Sequence, residues 1–289
     1  MKILFLKEKG RNLANKEFSE VCDFQRALYR QFKDIDVVIW GLNWNSFKIP
    51  FTDVIKNVDV ILLLENYDTS NWIPDLSKIN KLKLFWSIDS HCVLNQHIDV
   101  CNRHKINVVL NSNPYDCAAF RTIDRKSYEF LSCYPSDLVF PLNTPKIHNI
   151  GFCGNVARRG QWLQFIHKQY NAQIDIMKIG ADMVHCINSY KIHFNKNISH
   201  EMNGRVFETL GCKTFLLTCD AYKQNEAFQV GKHFVVYKDV NDLNEKVNYY
   251  LTHEKERKEI EDAGFEYVIN NHSFDVRCKQ LIQIIKENI

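Results

Sequence analysis

Residues 197–219 read Asn197-Ile198-Ser199-His200-Glu201-Met202-Asn203-Gly204-Arg205-Val206-Phe207-Glu208-Thr209-Leu210-Gly211-Cys212-Lys213-Thr214-Phe215-Leu216-Leu217-Thr218-Cys219. A polar loop leads into a short helix, Gly204 to Gly211, which Gly211 is expected to close before an apolar strand, Thr214 to Cys219. Arg205 and Glu208 are three residues apart and therefore share one helical face. Free N–H groups at a helix start, with a guanidinium beside them, suit a diphosphate. A carboxylate one turn further in suits the two hydroxyls of a ribose. Residues of these types in this order describe a nucleotide-sugar pocket.

The rest of the chain shows what surrounds that pocket. At 289 residues the chain exceeds the usual size of one domain, so two are expected. Apolar residues make up 45% and charged residues 25%, a globular composition that excludes a disordered chain. The formal charge of +3 is too small to mark a nucleic-acid binder by itself. The apolar core of Met1 to Lys9 is too short for a signal peptide and reads as a first buried strand. No apolar run approaches the length of a membrane span. Ten scattered cysteines with no Cys-x-x-Cys pair fit reduced, mostly buried thiols and a cytoplasmic location.

In the first half, strand-like runs recur at Ile3–Leu6, Val37–Trp40, Val58–Leu64, Lys83–Ile88, Val108–Asn111 and Ser136–Pro141. Glu17–Phe32 is the clearest helix, with Phe18, Val21, Phe24, Ala27, Leu28 and Phe32 on one face. A second alternation starts at Ile150. Alternation of this kind predicts two mostly parallel, doubly wound α/β sheets that bind ligand outside the carboxyl ends of their strands. The polar, proline-bearing stretch 143–149 is the expected linker. Residues 1–145 form the expected first domain, 150–272 the second, and 273–289 a last helix.

Three further constellations carry chemistry. Gly151-Phe152-Cys153-Gly154-Asn155, followed by Arg158 and Arg159, leaves a strand and enters a helix, where a tight loop can approach a phosphate. Phe85-Trp86-Ser87-Ile88-Asp89-Ser90-His91 is an apolar strand that ends in an acid and a histidine. There Asp89 can take a proton from a hydroxyl or can cap the following helix. Glu65-Asn66-Tyr67-Asp68 also follows a strand; contact with an acceptor and ordinary loop polarity both explain it. Arg103, His104, Lys105, Arg121, Arg125 and Lys126 form a modest basic cluster, read chiefly as a solvated helix surface. The histidines show no metal-ligand spacing, so neither a metal nor another cofactor is expected.

Arg205-x-Phe207-Glu208-x-x-Gly211-Cys212, with the strand Phe215-Leu216-Leu217-Thr218, resembles the donor-binding motif of the spore-maturation-protein-like group of GT-B glycosyltransferases, which is related to the glycosyl transferase group 1 families. The likeness continues through Val230-Gly231-Lys232-His233-Phe234-Val235-Val236-Tyr237, Asp239 and Asp242-Leu243. It then runs through Tyr249-Tyr250-Leu251, Glu254 to Arg257, Ala263-Gly264 and Asn271-His272-Ser273-Phe274, where Ser273 replaces the family's Thr. It covers roughly Ile150 to the C-terminus with good specificity and the first half only loosely.

The resemblance implies a GT-B fold of two Rossmann-like domains, with the last helix crossing back to the first. It also implies metal-independent transfer of a sugar from a nucleoside diphosphate, UDP foremost, to a hydroxyl. Glu208 would hold the ribose and Arg205 the diphosphate. Gly154 and Asn155 would approach the donor with their backbone, and Arg158 would contact the diphosphate with Arg159 as its alternate. His200, Glu201, Asn203 and Gly204 would border the donor sugar. Counting back from Glu208, the first of the two glutamates found in retaining relatives falls on His200, with Glu201 one residue out of register. Asp89 and His91 would be catalytic. A hydroxymethylated DNA base as acceptor, a sugar-nucleotide epimerase and a non-catalytic nucleotide-sugar-binding module stand as the alternatives.

Overall fold

The structure, a computed structural model of the chain, describes residues 1–9, 19–65 and 71–289. Its contacts divide the chain into two units, Met1–Leu131 with Arg277–Ile289, and Ser132–Val276.

The first unit holds a parallel sheet of six strands in the order β2-β1-β3-β4-β5-β6. These are β1 (Lys2–Leu6), β2 (Asp36–Trp40), β3 (Val60–Leu64), β4 (Leu82–Ser87), β5 (Val108–Asn111) and β6 (Lys126–Glu129). Every residue of β3, Val-Ile-Leu-Leu-Leu, is buried, as a strand covered on both faces requires. Helices α1 (Glu20–Gln31), α2 (Phe51–Lys56), α3 (Ser90–His104) and α4 (Pro114–Thr122) connect the strands. The expected helix from Glu17 is observed from Glu20; Glu17 and Phe18 lie outside the described residues, as do Asn66, Tyr67 and Asp68. Helix α11 (Phe274–Lys286) begins in the second unit, and its residues from Arg277 onward belong to the first. There Gln280 Nε2 donates to Glu129 O at 3.0 Å, while Leu281 and Ile285 are fully buried.

The second unit holds a parallel sheet in the order β11-β10-β9-β7-β8. Its strands are β7 (His148–Gly154), β8 (Gln173–Ile176), β9 (Tyr190–Phe194), β10 (Phe215–Cys219) and β11 (Val235–Tyr237). Between and after them run α5 (Gly160–Tyr170), α6 (Gly180–Asn188), α7 (Gly204–Gly211), α8 (Gln224–Ala227), α9 (Val240–Thr252) and α10 (Glu254–Asn271). A core of Ile150, Phe152, Ile192, Phe194, Phe215 and Leu217 lies under α5 and α9.

Both sheets reverse their winding beside the first strand, between β1 and β3 and between β7 and β9. Ligands of doubly wound sheets bind at the carboxyl ends of such strand pairs. No helix among the described residues is long and apolar enough to cross a membrane.

Three local expectations are corrected. Ser136–Pro141 is a turn and not a strand: Pro135 O accepts from both Leu138 N and Val139 N, and prolines flank the segment. The linker ends earlier than expected, because His148 and Asn149 already belong to β7, where His148 pairs with Tyr190. Gly211 closes α7 as expected, and the left-handed conformation falls two residues later, on Lys213, at φ 53°. Glycine is needed at 211 because a Cβ there would lie 2.4 Å from the Tyr134 ring. His104 is buried and leaves the basic cluster; its Nδ1 accepts from Leu76 N at 3.4 Å.

Candidate functional site

In the second unit, α7 starts beside the ends of β7 and β9. Asn203 caps it, with Oδ1 accepting from Arg205 N at 3.0 Å. Arg205 pairs with Glu208, and both side chains are about one-fifth exposed, at 19% and 21%. Burial opposes the Arg205 charge, but the Glu208 carboxylate outweighs it and holds the guanidinium above its ordinary range. Arg205 Nε also donates to Cys153 O at 2.9 Å and a terminal nitrogen donates to Lys178 O at 3.2 Å. The guanidinium therefore ties α7 to the ends of both β7 and β8. A Cβ on Gly204 would sit 3.9 Å from Glu208 Oε2, so the carboxylate folds back over the helix start, and the missing side chain leaves it open to approach.

Behind this pair the polar side chains are fully used. His193 Nε2 accepts from Cys153 N at 3.2 Å, so its proton is on Nδ1 and points at Thr209 Oγ1, 2.6 Å away. Thr209 in turn donates to Arg205 O at 2.5 Å. Enclosure pushes His193 down to about 3, so the ring stays neutral. Asn195 Nδ2 reaches Thr218 Oγ1 at 2.9 Å and Asn197 Oδ1 at 3.0 Å, and Asn203 Nδ2 reaches Asn195 Oδ1 at 3.2 Å. Asn197 Nδ2 donates to Cys219 O at 2.9 Å. These bonds hold the turn that leads into α7.

The β7–α5 loop separates its two arginines. Arg158 is exposed and left-handed at φ 59°. Arg159 is half-buried, and its Nε donates to Lys196 O at 2.8 Å, bridging the β7 and β9 ends. Gly154 ends β7, and Asn155 Oδ1 accepts from Ala157 N at 2.9 Å. Ser199 and His200 are exposed and both left-handed, each at φ 56°, and the His200 ring stands 5.6 Å from Tyr222. Glu201 is buried. Lys196 lies over the Trp162 ring at 5.4 Å and was not singled out in the sequence.

In the first unit Asp89 occupies the cap position of α3 without a side-chain capping bond, and His91 is in the first turn, part-buried. The N–H groups of Ile88 and Asp89 donate to Glu65 Oε2 at 2.8 and 2.7 Å. Glu65 is 5% exposed, and burial raises its carboxyl above the usual range. His97 Nε2 stands 3.5 Å from the same oxygen, and its Nδ1 is 2.7 Å from Ser87 Oγ. Asn111 donates to Ser87 Oγ at 3.0 Å, which leaves the serine proton for His97 Nδ1 and the imidazole N–H directed at Glu65. Burial pushes His97 down to about 4. Asp89 and His91 lie in one unit and all the donor-side residues in the other.

Several residues of the C-terminal motif are structural. Asp239 caps α9, Arg257 is buried and donates to Tyr250 O at 2.9 Å, and a Cβ on Gly264 would lie 2.4 Å from His233 O. The sequence reading missed Glu65–His97 as a pair, His193–Thr209 and Asn195–Thr218. Their only signal was a polar residue at or just past the end of an apolar strand, or one turn into a helix.

Residues 143–283 match a family model described as glycosyl transferase-like. No curated protein sequence matches the chain. Among solved structures, HepE from Anabaena in complex with UDP and glucose aligns with a TM-score of 0.68 at 12% identity, covering 99% of this chain and 100% of its own. Sucrose-phosphate synthase from Thermosynechococcus elongatus aligns at 0.68 and 11%, covering 99% and 98%. A glycosyltransferase from Rickettsia africae aligns at 0.65 and 14%, again covering 99% and 98%. These likenesses give the fold, GT-B.

Proposed function

We propose that this chain, a glycosyltransferase on the GT-B fold, moves a sugar from a nucleoside diphosphate, UDP foremost, to a hydroxyl acceptor. The observation that carries this reading is the open start of α7, where Asn203 caps, Gly204 leaves room, and Arg205 and Glu208 share one face. Glu208 holds the ribose hydroxyls through Oε1, the oxygen turned away from the Arg205 pair. Arg205 and the N–H groups of the helix start face the diphosphate, with Arg158 and Lys196 adding charge from the neighbouring loops. HepE was solved with UDP, which supports uridine here.

In the transfer, the acceptor oxygen bonds to C1 of the donor sugar and the bond from C1 to the diphosphate oxygen breaks. The acceptor proton passes to Asp89, with His91 orienting the sugar. The developing charge on the diphosphate is met by the basic groups named above, so turnover is expected to survive chelator. His200, Glu201 and the Gly154–Asn155 backbone border the donor sugar. Ten free thiols suit a reducing cytoplasm.

A screen of nucleotide sugars for thermal stabilisation and slow hydrolysis tests this. A UDP-sugar that stabilises the chain and releases UDP is expected. Stabilisation by none of them overturns the reading, and release of an altered nucleotide sugar without an acceptor points instead to epimerisation.

A further inference from the structure

The first unit contains a cavity of about 300 Å³ that the roles assigned so far leave unused. It opens at the carboxyl end of β3, next to the strand pair where the sheet reverses. Part of its wall is apolar: Leu63, Ile73, Phe85 and Val100. Two of its polar groups, Glu65 and His97, are more than nine-tenths buried, at 5% and 6% exposed. Gln96, Asp99 and Arg103 recur at helical spacing on the exposed flank of α3 and form the mouth. Val93, also in the wall, breaks the helical backbone of α3 at φ −141° and ψ 29°.

We infer that this cavity receives one neutral, hydroxylated ring, the terminal sugar of the acceptor. The inference rests on the glycosyl-transfer reading. Size sets the first limit, because this volume is at the small end of ligand sites and holds a single ring. Polarity sets the second. Glu65 Oε2 is spent on two backbone N–H groups, and among the described residues Oε1 carries no bond, so an acceptor on the cavity side is left for a hydroxyl donor. His97 is held by Ser87 with its N–H toward Glu65, at a distance long enough for a ligand oxygen to share it.

Charge sets the third limit. Glu65 inside and Asp99 at the mouth are matched by Arg103 at the mouth and Lys7 behind Glu65, so the site carries no net charge to attract an ion. Lys7 Nζ donates to Glu65 O and already supplies a positive partner, which with the apolar part of the wall disfavours a cation. A pyranose offers hydroxyls on its edge for Glu65 and His97 and C–H faces for Phe85 and Leu63.

The test uses the full chain and the methyl glycosides of glucose, galactose, mannose and N-acetylglucosamine, with glucose 6-phosphate as the charged comparison. The imidazole signals of His97, assigned by their loss in His97→Gln, are followed by NMR while UDP affinity is measured on the same sample. At least one neutral glycoside should shift those signals, and the phosphate should not bind more tightly. In Glu65→Gln the side-chain oxygen can still accept from Ile88 and Asp89, so the fold should hold while glycoside affinity falls at least about tenfold. Val100→Trp should fill the cavity and abolish the response with UDP affinity unchanged. If UDP binds the wild-type chain and no glycoside reaches His97, the inference falls and the transfer reading stands. If UDP fails to bind, the transfer reading falls, and with it the identification of the ring as acceptor.

Discussion

Each unit buries a neutral histidine behind its strand ends, yet the two are used differently. His193 is sealed: it is 1% exposed, one nitrogen takes the Cys153 N–H and the other meets Thr209. His97 has the same kind of hydroxyl partner on one nitrogen but faces a carboxylate and open space with the other. In the second unit, then, burial serves to aim Arg205 and Glu208 outward from α7. In the first unit the buried groups are themselves within reach of a ligand. On the proposed reading, the donor side is a framed surface and the acceptor side a lined hole.

The strongest way to break this comparison is to separate transfer from donor binding. Asp89→Asn keeps shape and removes the base, so transfer should fall at least about a hundredfold while UDP affinity holds. Arg205→Ala should depress turnover by on the order of a hundredfold and weaken UDP as well. Normal transfer by Asp89→Asn would make Asp89 a structural residue and move the proton acceptor to His91 or Glu65.

The histidines give the next effect. His193→Leu strands the Cys153 N–H in a sealed interior and should cost about 2–4 kcal/mol in urea unfolding. His97→Leu should cost about 1 kcal/mol, because the cavity admits water to Ser87. Equal losses would erase the distinction between the two sites.

Acid sharpens the same point. Both rings stay neutral in the fold, at about 4 and about 3, whereas the unfolded chain protonates them near 6.5. The unfolded state therefore binds more protons below that value, so stability is full above it and is lost as pH falls. Each histidine contributes a slope that approaches about 1.4 kcal/mol per pH unit below the unfolded value. Glu65 is held above its ordinary range and works in the opposite sense at lower pH. Burial lowers His104 and His233 as well, so unfolding free energies measured just below pH 6.5 should show a slope in the wild type that is smaller by one histidine in His97→Leu; a flat profile would contradict the neutral assignment.

Gly204→Ala is the mildest test. The new methyl group has room and should leave stability nearly unchanged. If a ligand approaches over the helix start, UDP affinity should still drop by roughly 1 kcal/mol, about fivefold. Unchanged affinity would move the approach elsewhere on α7.

Legibility in the sequence followed the same division. The donor-side helix was bounded correctly at Gly204 and Gly211 because a polar loop, an amphipathic turn and an apolar strand follow one another without a break. Strands β3 and β5 were legible as unbroken apolar runs. The edge strand β6, Lys-Ser-Tyr-Glu, was not, because an edge needs little apolar surface. Helix α6 was missed as well. Ser136–Pro141 misled because Val139 is buried from within a turn. The Glu65–His97 pair was out of reach for another reason: 32 residues separate its members, and only the pairing of β3 with β4 and the packing of α3 bring them together. Local pattern finds sites carried on one segment, and sites assembled by topology need the fold.

The central claim is that the α7 carboxylate holds the donor ribose, and calorimetric titration of UDP into Glu208→Ala tests it most directly. Arg205 keeps its bonds to Cys153 O and Lys178 O in that variant, so the fold should survive. Loss of a charge-assisted hydrogen bond of about 1.5–3 kcal/mol predicts affinity weaker by about ten- to a hundredfold. Wild-type affinity for UDP in a folded Glu208→Ala protein would contradict the account.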